Sequence, residues 1–222
     1  MALANDSLTV TPGSGATLST HLISGKEHQV IMLADAFGHL LGTKETYSWV
    51  VPSAAVGASK LFMDLFNTSG SGKILRLLAV LPIVDTDVAV VGALGIAVNL
   101  YRTSAVGTGG TVAAYKSATL DVAGGTIWPA DSANAALPAQ VTARHLPTGG
   151  ATISGWVAQR YVAGEETATS QAYVAQGRLN LLATHDSSQQ LLTLREGEGI
   201  LLKQGAIAAT GQIAFNIIFT ME

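Results

Sequence analysis

Cysteine is absent from this 222-residue sequence, which excludes disulfide frameworks and thiolate metal sites. The redox compartment stays open, because cysteine-free chains occur in every compartment. The histidines do not replace the missing ligands, since none are spaced four residues apart as in a helical zinc pair; they stand at positions 21, 28, 39, 145 and 185. Asp85 and Asp87 could offer two oxygens to Ca²⁺, but the other positions of a calcium loop are missing. We expect no metal ion and no other cofactor.

Charged residues are scarce as well. They make up 12% of the sequence, about half of the roughly 25% usual in soluble domains, while 48% of the residues are apolar and the mean hydropathy is +0.37. A monomer needs a largely hydrated exterior, so a chain this poor in ionised side chains is expected to cover much of its outside with other copies of itself. The composition predicts a homo-oligomeric assembly subunit.

Neither a basic cluster nor a long uninterrupted apolar run is present. The net charge is −3 and the Lys and Arg residues are scattered, so no basic stripe could follow a nucleic-acid backbone. The longest apolar region, Ile74 to Tyr101, is interrupted by one arginine, one proline and two aspartates and is too broken to span a bilayer as one helix. The first ten residues lack the charged and apolar regions of a secretory signal. We expect neither nucleic acid nor a membrane as a partner.

The chain is expected to form an N-terminal arm followed by one domain. Residues 1–58 are rich in Ser, Thr and Gly apart from a short apolar run, Val30 to Ala34, and indicate an extended arm with short strands. Residues 59–222 have the periodicity of strands and indicate a β-sandwich domain. Inside this domain, residues 103–150 are dominated by Thr, Ala, Gly and Pro, which predicts a long loop region available for contacts.

Alternation of apolar with small or polar residues determines the predicted fold. It is clearest in the closing strand, where Ile213, Phe215, Ile217 and Phe219 share one side. The segment from Val88 to Arg102 has large apolar residues on one side and mainly small residues on the other, and this small face could lie against another sheet or subunit. No long segment has helical periodicity. The sequence predicts an all-β fold, an antiparallel β-sandwich of the jelly-roll kind.

The stretch LFNTSGSGKILRLL, residues 65–78, has its glycines and Lys73 in the order of a phosphate-binding loop. That motif also needs a glycine where Asn67 stands, a Ser or Thr after the lysine, and a helix that follows. None of these is present. We therefore interpret the stretch as a turn between strands, with Lys73 as a solvated residue at a strand end.

A hairpin register follows from this interpretation. If the strands 61–67 and 74–81 fold about Gly70, facing positions sum to 140, and Asp64 meets Arg76 on an otherwise apolar face. A cross-strand pair of opposite charge contributes roughly 0.2–1 kcal/mol. We predict that the side chains of Asp64 and Arg76 lie within salt-bridge distance.

Candidate catalytic residues are few. The sequence contains no G-x-S-x-G nucleophile motif. Its densest acids are the pairs Glu165 with Glu166 and Glu196 with Glu198. Two carboxylates can hydrolyse a glycosidic bond, but one pair is adjacent and the other flanks a turn glycine, so solvated loop acids are the better interpretation. We expect no enzyme activity and assign no catalytic residue.

The three tryptophans, Trp49, Trp128 and Trp156, could stack on sugar rings. A buried anchor in a core or a subunit contact is the favoured interpretation. Trp128 and Trp156, together with Asp64 and Arg76, are therefore the structural and interface candidates.

Four stretches carry a resemblance to a known family: KLFMDLFNTSGSGKILRLLAVLPI, RTSAVGTGGT, LPTGGATISGW and LTLREGEGILLKQG. Together they resemble β-sandwich virion structural proteins of tailed bacteriophages, the small subunits associated with capsids or tails. The resemblance covers residues 60–220 and rests on structural turns. It implies a non-enzymatic building block that forms homo-oligomers, commonly trimers, and no catalytic or metal residue is carried over.

The expected function is capsid decoration. Such a cement subunit sits on the capsid surface of the virion, contacts the major capsid protein and stabilises the phage head. The alternative is a tail or fibre module that recognises host glycans through exposed aromatic side chains such as Trp128 or Trp156.

Overall fold

The computed structural model describes residues 17–23, 26–34, 40–41, 44–85, 92–119, 122–166, 180–182 and 191–222. In these ranges the regular secondary structure consists of β-strands, which confirms the predicted all-β class. Among the same residues, no helix is long and apolar enough to cross a membrane. The chain divides into two units, Met1–Lys44 and Glu45–Glu222.

The first unit contains a three-stranded antiparallel sheet. Its strands follow one another in the sheet as they do in the sequence: β1 (Thr17–Ile23), β2 (Lys26–Ala34) and β3 (Leu40–Leu41). The apolar run from Val30 to Ala34 forms the end of β2, where the backbone pairs with β1 on one side and β3 on the other.

The second unit contains two six-stranded sheets. The strands are β4 (Glu45–Ala55), β5 (Leu61–Asn67), β6 (Leu75–Asp85), β7 (Gly92–Thr103), β8 (Thr111–Val112), β9 (Ala114–Tyr115), β10 (Thr126–Pro129), β11 (Val141–His145), β12 (Ile153–Glu166), β13 (Leu192–Leu194), β14 (Glu198–Gln204) and β15 (Gln212–Met221). Sheet 1 has the order β13-β6-β15-β4-β10-β9, and sheet 2 has the order β12-β7-β14-β5-β11-β8. Neighbouring strands are antiparallel except β9 and β10, which are parallel.

The inner faces of the two sheets meet in one hydrophobic core. Phe62 of sheet 2 packs against Phe215 of sheet 1, with ring centroids 5.2 Å apart. The alternating residues predicted for β15 all point into this core and are fully buried: Ile213, Phe215, Ile217 and Phe219. Each buried side chain of this size stabilises the fold by about 1.5–3 kcal/mol. The predicted antiparallel β-sandwich is confirmed.

The strand pairings are nested along the sequence. Strand β5 pairs with β14, β6 with β13, β7 with β12, and β8 with β11. A long hairpin that folds over between two sheets produces this kind of nesting. Strands β4 and β15 lie outside the nested set and pair with each other inside sheet 1. The jelly-roll connectivity stays a prediction.

Two predicted boundaries differ from the structure. Residues 45–55, assigned to the arm, form β4 of sheet 1, because Tyr47, Trp49 and Val51 alternate along the strand and are buried in the core. The region 103–150, predicted to be a loop, contains the short strands β8 to β11.

The predicted hairpin between β5 and β6 is wrong. Strand β5 belongs to sheet 2 and β6 to sheet 1, so Asp64 and Arg76 lie in different sheets. The residues opposite Asp64 are Arg144 on β11 and Leu201 on β14, whereas Arg76 forms an ion pair with Glu222 at 3.0 Å. Residues 68–74 connect one sheet to the other, across the roughly 10 Å that separates packed sheets.

Candidate interaction surfaces

The outward-pointing side chains of four neighbouring strands form the outer face of sheet 1. Alternate residues of a strand point to opposite sides, so the buried positions of Trp49 and Phe215 direct their chain neighbours outward. The strand register arranges these neighbours in three rows: Trp128, Ser48, Ile218 and Ala79; then Val50, Asn216 and Leu81; then Ala214 and Ile83. None of these nine residues is charged.

Large apolar side chains on this face are open to solvent. Val50, Ile83 and Trp128 are 53%, 50% and 45% exposed. Two polar side chains at its centre contact each other, because Ser48 Oγ donates a hydrogen bond to Asn216 Oδ1 at 2.7 Å. The three rows form an uncharged, largely apolar patch of the kind that is typical of an interaction surface. The patch is bordered on the same face by Arg76, which lies opposite Thr220 and pairs with Glu222.

A second surface, the aromatic platform, lies on the outer face of sheet 2 where β12, β7 and β14 adjoin. The large apolar residues predicted on one side of β7 point into the core at Ile96, Val98 and Leu100, so the small face of β7 points outward. Cross-strand pairing joins it to residues of β12 and β14. The platform consists of Ala97, Asn99, Tyr101, Trp156, Gln159, Tyr161 and Lys203.

Two rings of the platform are strongly exposed. Trp156 is 62% exposed and Tyr161 is 74% exposed. The ring centroid of Trp156 lies 6.0 Å from that of Tyr101, its cross-strand partner. The indole N–H of Trp156 donates to the carbonyl oxygen of Ala158 at 3.1 Å. These two contacts fix the orientation of the indole.

A buried carboxyl group lies elsewhere on sheet 2, beneath the loop that contains Gly107. Asp64 Oδ2 accepts a hydrogen bond from the Gly107 N–H at 2.5 Å, and Oδ1 has no hydrogen-bond partner. Burial raises the pKa of Asp64 to about 6, although the Gly107 N–H and the Arg144 guanidinium both favour the charged form. His145, which lies opposite Met63, is buried as well, and burial lowers its pKa.

The glycine loop that resembles a phosphate site binds a carboxylate of the same chain. Gly70 and Gly72 have φ values of +85° and +64°, and their N–H groups donate to the two carboxylate oxygens of Glu196 at 3.1 and 2.7 Å. Backbone N–H groups in such a turn form an anion-binding concavity, and these hydrogen bonds lower the pKa of Glu196. The segment after Lys73 continues into strand β6, so the anion in this loop is Glu196.

Replacing Glu196 with alanine is expected to release the amides of Gly70 and Gly72. Their hydrogen exchange, measured by NMR, should become about tenfold faster, because both N–H groups lie at the surface and are protected by this carboxylate. Asp131→Ala is the control, since the Asp131 carboxylate accepts a hydrogen bond from the Ala133 N–H in a different turn. Unchanged exchange in the Glu196 variant would show that the carboxylate does not hold the loop.

A cleft of about 580 Å³ opens at the rim of the sandwich. Leucines line its apolar part, at positions 77, 181, 182, 191 and 192. Arg102 and Arg160 contribute charge, and Arg102 pairs with Glu198 at 3.4 Å. Among its described lining residues there is no carboxylate, histidine or lysine, so they supply no group of the kind that usually acts as a general acid or base.

The glutamates considered for carbohydrate hydrolysis have structural contacts. Glu196 binds the glycine loop, and the Glu198 carboxylate accepts a hydrogen bond from the Arg195 N–H at 2.8 Å. The side chains of Glu165 and Glu166, like that of Asp87 from the calcium hypothesis, lie outside the described residues. In the part of the chain that is described, no three His, Asp or Glu side chains form a group that could hold a metal ion.

The structure separates the three tryptophans. Trp49 lies in the core, Trp128 on the outer face of sheet 1, and Trp156 on the aromatic platform of sheet 2. Sequence reasoning missed Tyr101 and Tyr161 as platform residues. A register shift between Trp156 and Ala158 puts Trp156 and Tyr161 on one face although they are five positions apart, and simple alternation would place them on opposite faces.

Comparison with known proteins identifies no relative: no protein-family model, no curated protein and no solved structure matches this chain. The surfaces and the composition are therefore the basis of the proposed function.

Proposed function

We propose that the protein is a non-enzymatic structural subunit of a virus particle, a capsid decoration protein of a tailed bacteriophage. It assembles with copies of itself, as a trimer, and contacts the major capsid protein on the outside of the phage head. The observation that supports this proposal most is the outer face of sheet 1, with its nine uncharged residues and its exposed Val50, Ile83 and Trp128.

The chemistry of this face suits a permanent contact. Obligate interfaces are more apolar than transient ones and are depleted of charge at their centre. The Ser48–Asn216 hydrogen bond satisfies the Ser48 donor and the Asn216 Oδ1 acceptor at the centre. The Asn216 Nδ2 group remains as a donor for an acceptor on the neighbouring molecule. The low charge of the whole chain supports the same proposal, because a decoration subunit buries much of its surface in the assembly.

Replacing Val50 with lysine is expected to weaken self-association at least tenfold. An ammonium group at the centre of an apolar contact has to be desolvated without a partner. Analytical ultracentrifugation over a range of concentrations measures the dissociation constant. Val112→Lys is the matched control, because Val112 is 51% exposed on strand β8 of sheet 2. The proposal fails if the unmodified protein remains a monomer at high concentration, or if both variants associate equally well.

The location on the particle is tested separately. Electron microscopy of native virions should show this subunit in many copies on the capsid surface, with the outer face of sheet 1 against its neighbours. Density at the tail tip alone would contradict the decoration role and favour the receptor-binding alternative.

A further inference from the structure

We infer that the aromatic platform of sheet 2 is a binding site for an oligosaccharide. This site lies on the opposite side of the sandwich from the outer face of sheet 1, and it is a function in addition to assembly. The inference rests on the spacing of the rings, on their fixed orientation and on the polar groups between them.

The spacing of the two exposed rings follows from the strand register. Trp156 lies opposite Tyr101, and Tyr161 lies opposite Ala97 on the same face. Four residues along β7 separate these positions, which corresponds to about 13 Å at the rise of an antiparallel strand. This distance is comparable to the length of a short oligosaccharide, so both rings can contact sugar units of one chain.

The rings provide flat apolar surfaces in fixed positions. Pyranose rings have an apolar face of C–H groups, which packs well against the negatively polarised face of an aromatic ring. Tyr101 supports Trp156 from the side, and the hydrogen bond to the Ala158 carbonyl oxygen restricts rotation of the indole. Binding to a ring that is already oriented loses less conformational entropy. Ala97 lies opposite Tyr161, and its small side chain leaves the face of the sheet beside the Tyr161 ring accessible.

Hydrogen-bonding groups fill the interval between the rings. Gln159 lies opposite Asn99, and Lys203 lies opposite Asn99 on the other side. The Gln159 amide and the Lys203 ammonium group provide donors and an acceptor that match the hydroxyl groups of a sugar. Asn99 is 5% exposed and its side-chain oxygen is buried, so Asn99 does not contact the sugar directly.

The composition of the platform favours a sugar over a protein partner. Its exposed apolar groups are aromatic rings separated by amides, whereas the exposed groups on the outer face of sheet 1 include aliphatic Val50 and Ile83. Sugars combine apolar C–H faces with hydroxyl groups at short intervals, as the platform does. A protein partner would be expected to bury a contiguous apolar centre.

The test measures binding to an array of maltooligosaccharides, chitooligosaccharides and bacterial O-antigen fragments, followed by calorimetric titration with the strongest binder. Trp156→Ala and Tyr161→Ala should each lower the affinity at least tenfold. Val112→Ala is the control and should leave it unchanged, because Val112 is 51% exposed on strand β8 of sheet 2, outside both the platform and the outer face of sheet 1. Thermal melting of each variant verifies that it is folded.

Three outcomes would overturn the inference: no binding on the array, binding that survives both platform substitutions, or equal loss in the Val112 variant. If Trp156→Ala dissociates the oligomer and no sugar binds, the platform is a protein contact instead. Self-association measured with Val50→Lys is independent of all these results, so the assembly proposal and the sugar-binding inference can fail separately.

Discussion

Replacing Trp49 with alanine is expected to lower the free energy of unfolding by about 3–5 kcal/mol. Trp49 is fully buried in β4, and removing its indole leaves a large cavity between the sheets. The indole N–H also donates a hydrogen bond to the Gly124 carbonyl oxygen at 3.1 Å, so the substitution leaves a buried acceptor without its donor. Both effects act in the same direction.

Urea denaturation at a fixed protomer concentration measures this loss, because the proposed self-association would also contribute to apparent stability. Trp156→Ala is the control: the same atoms are removed from a residue that is 62% exposed and lies outside the proposed assembly face, and we expect a change below about 1 kcal/mol. If Trp49→Ala does not fold, Trp49→Phe retains most of the buried volume and should give a smaller, measurable loss. Equal losses at Trp49 and Trp156 would contradict the assignment of Trp49 to the core.

The sequence predicts those parts of the fold in which one face of a strand is buried and the other is not. Strand β15 is such a case, because its buried Phe215 and Ile217 alternate with half-buried Ala214 and Asn216. Alternation then identifies both the strand and its inner face. The all-β class and the sandwich follow from several segments of this kind.

Pairing partners are harder to predict. Strand β5 is buried on both faces from Phe62 to Asn67, so its pattern does not distinguish the side that faces the core from the side beneath the Gly107 loop. Adjacent strands with a short glycine-rich link favour a hairpin locally, and that preference produced the Asp64–Arg76 error. The actual partner of Asp64 Oδ2, the Gly107 N–H, lies 43 residues away in the sequence. Local periodicity does not predict contacts between residues so far apart in the sequence.

The sequence predicts which types of residue form the interaction surfaces, but it does not predict how these residues are arranged. The shortage of charge indicates that some surface is apolar, and exposed tryptophans indicate contacts, but the face to which each belongs depends on register. The structure places Trp128 opposite Ser48 on the outer face of sheet 1 and Trp156 opposite Tyr101 on the outer face of sheet 2. The two proposals use different faces: assembly is proposed for the outer face of sheet 1, and sugar binding for the outer face of sheet 2.

Changing pH is expected to alter stability through Asp64. Burial raises its pKa to about 6, above the ordinary value of about 3.9. Between these two values the folded protein binds one more proton than the unfolded chain, so the free energy of unfolding falls as pH rises through this window. The difference of roughly two pKa units corresponds to about 3 kcal/mol when the titration is complete.

His145 acts in the opposite direction. Because burial lowers its pKa, the unfolded chain binds more protons at this site, and stability rises with pH as the histidine titrates. The contribution of Asp64 therefore has to be isolated by comparison with Asp64→Asn, which removes the titration and retains an oxygen that can accept the Gly107 hydrogen bond.

We expect the stability of Asp64→Asn relative to the unmodified protein to increase by about 2 kcal/mol between pH 4 and pH 7, measured by urea denaturation at each pH. Asp131→Asn is the control, because it removes an exposed aspartate and should show no such increase. A relative stability that does not depend on pH would mean that Asp64 has an ordinary pKa. A decrease with pH would mean that attraction by the Arg144 guanidinium outweighs the cost of burial, so the sign of the slope decides which effect is larger at this carboxyl group.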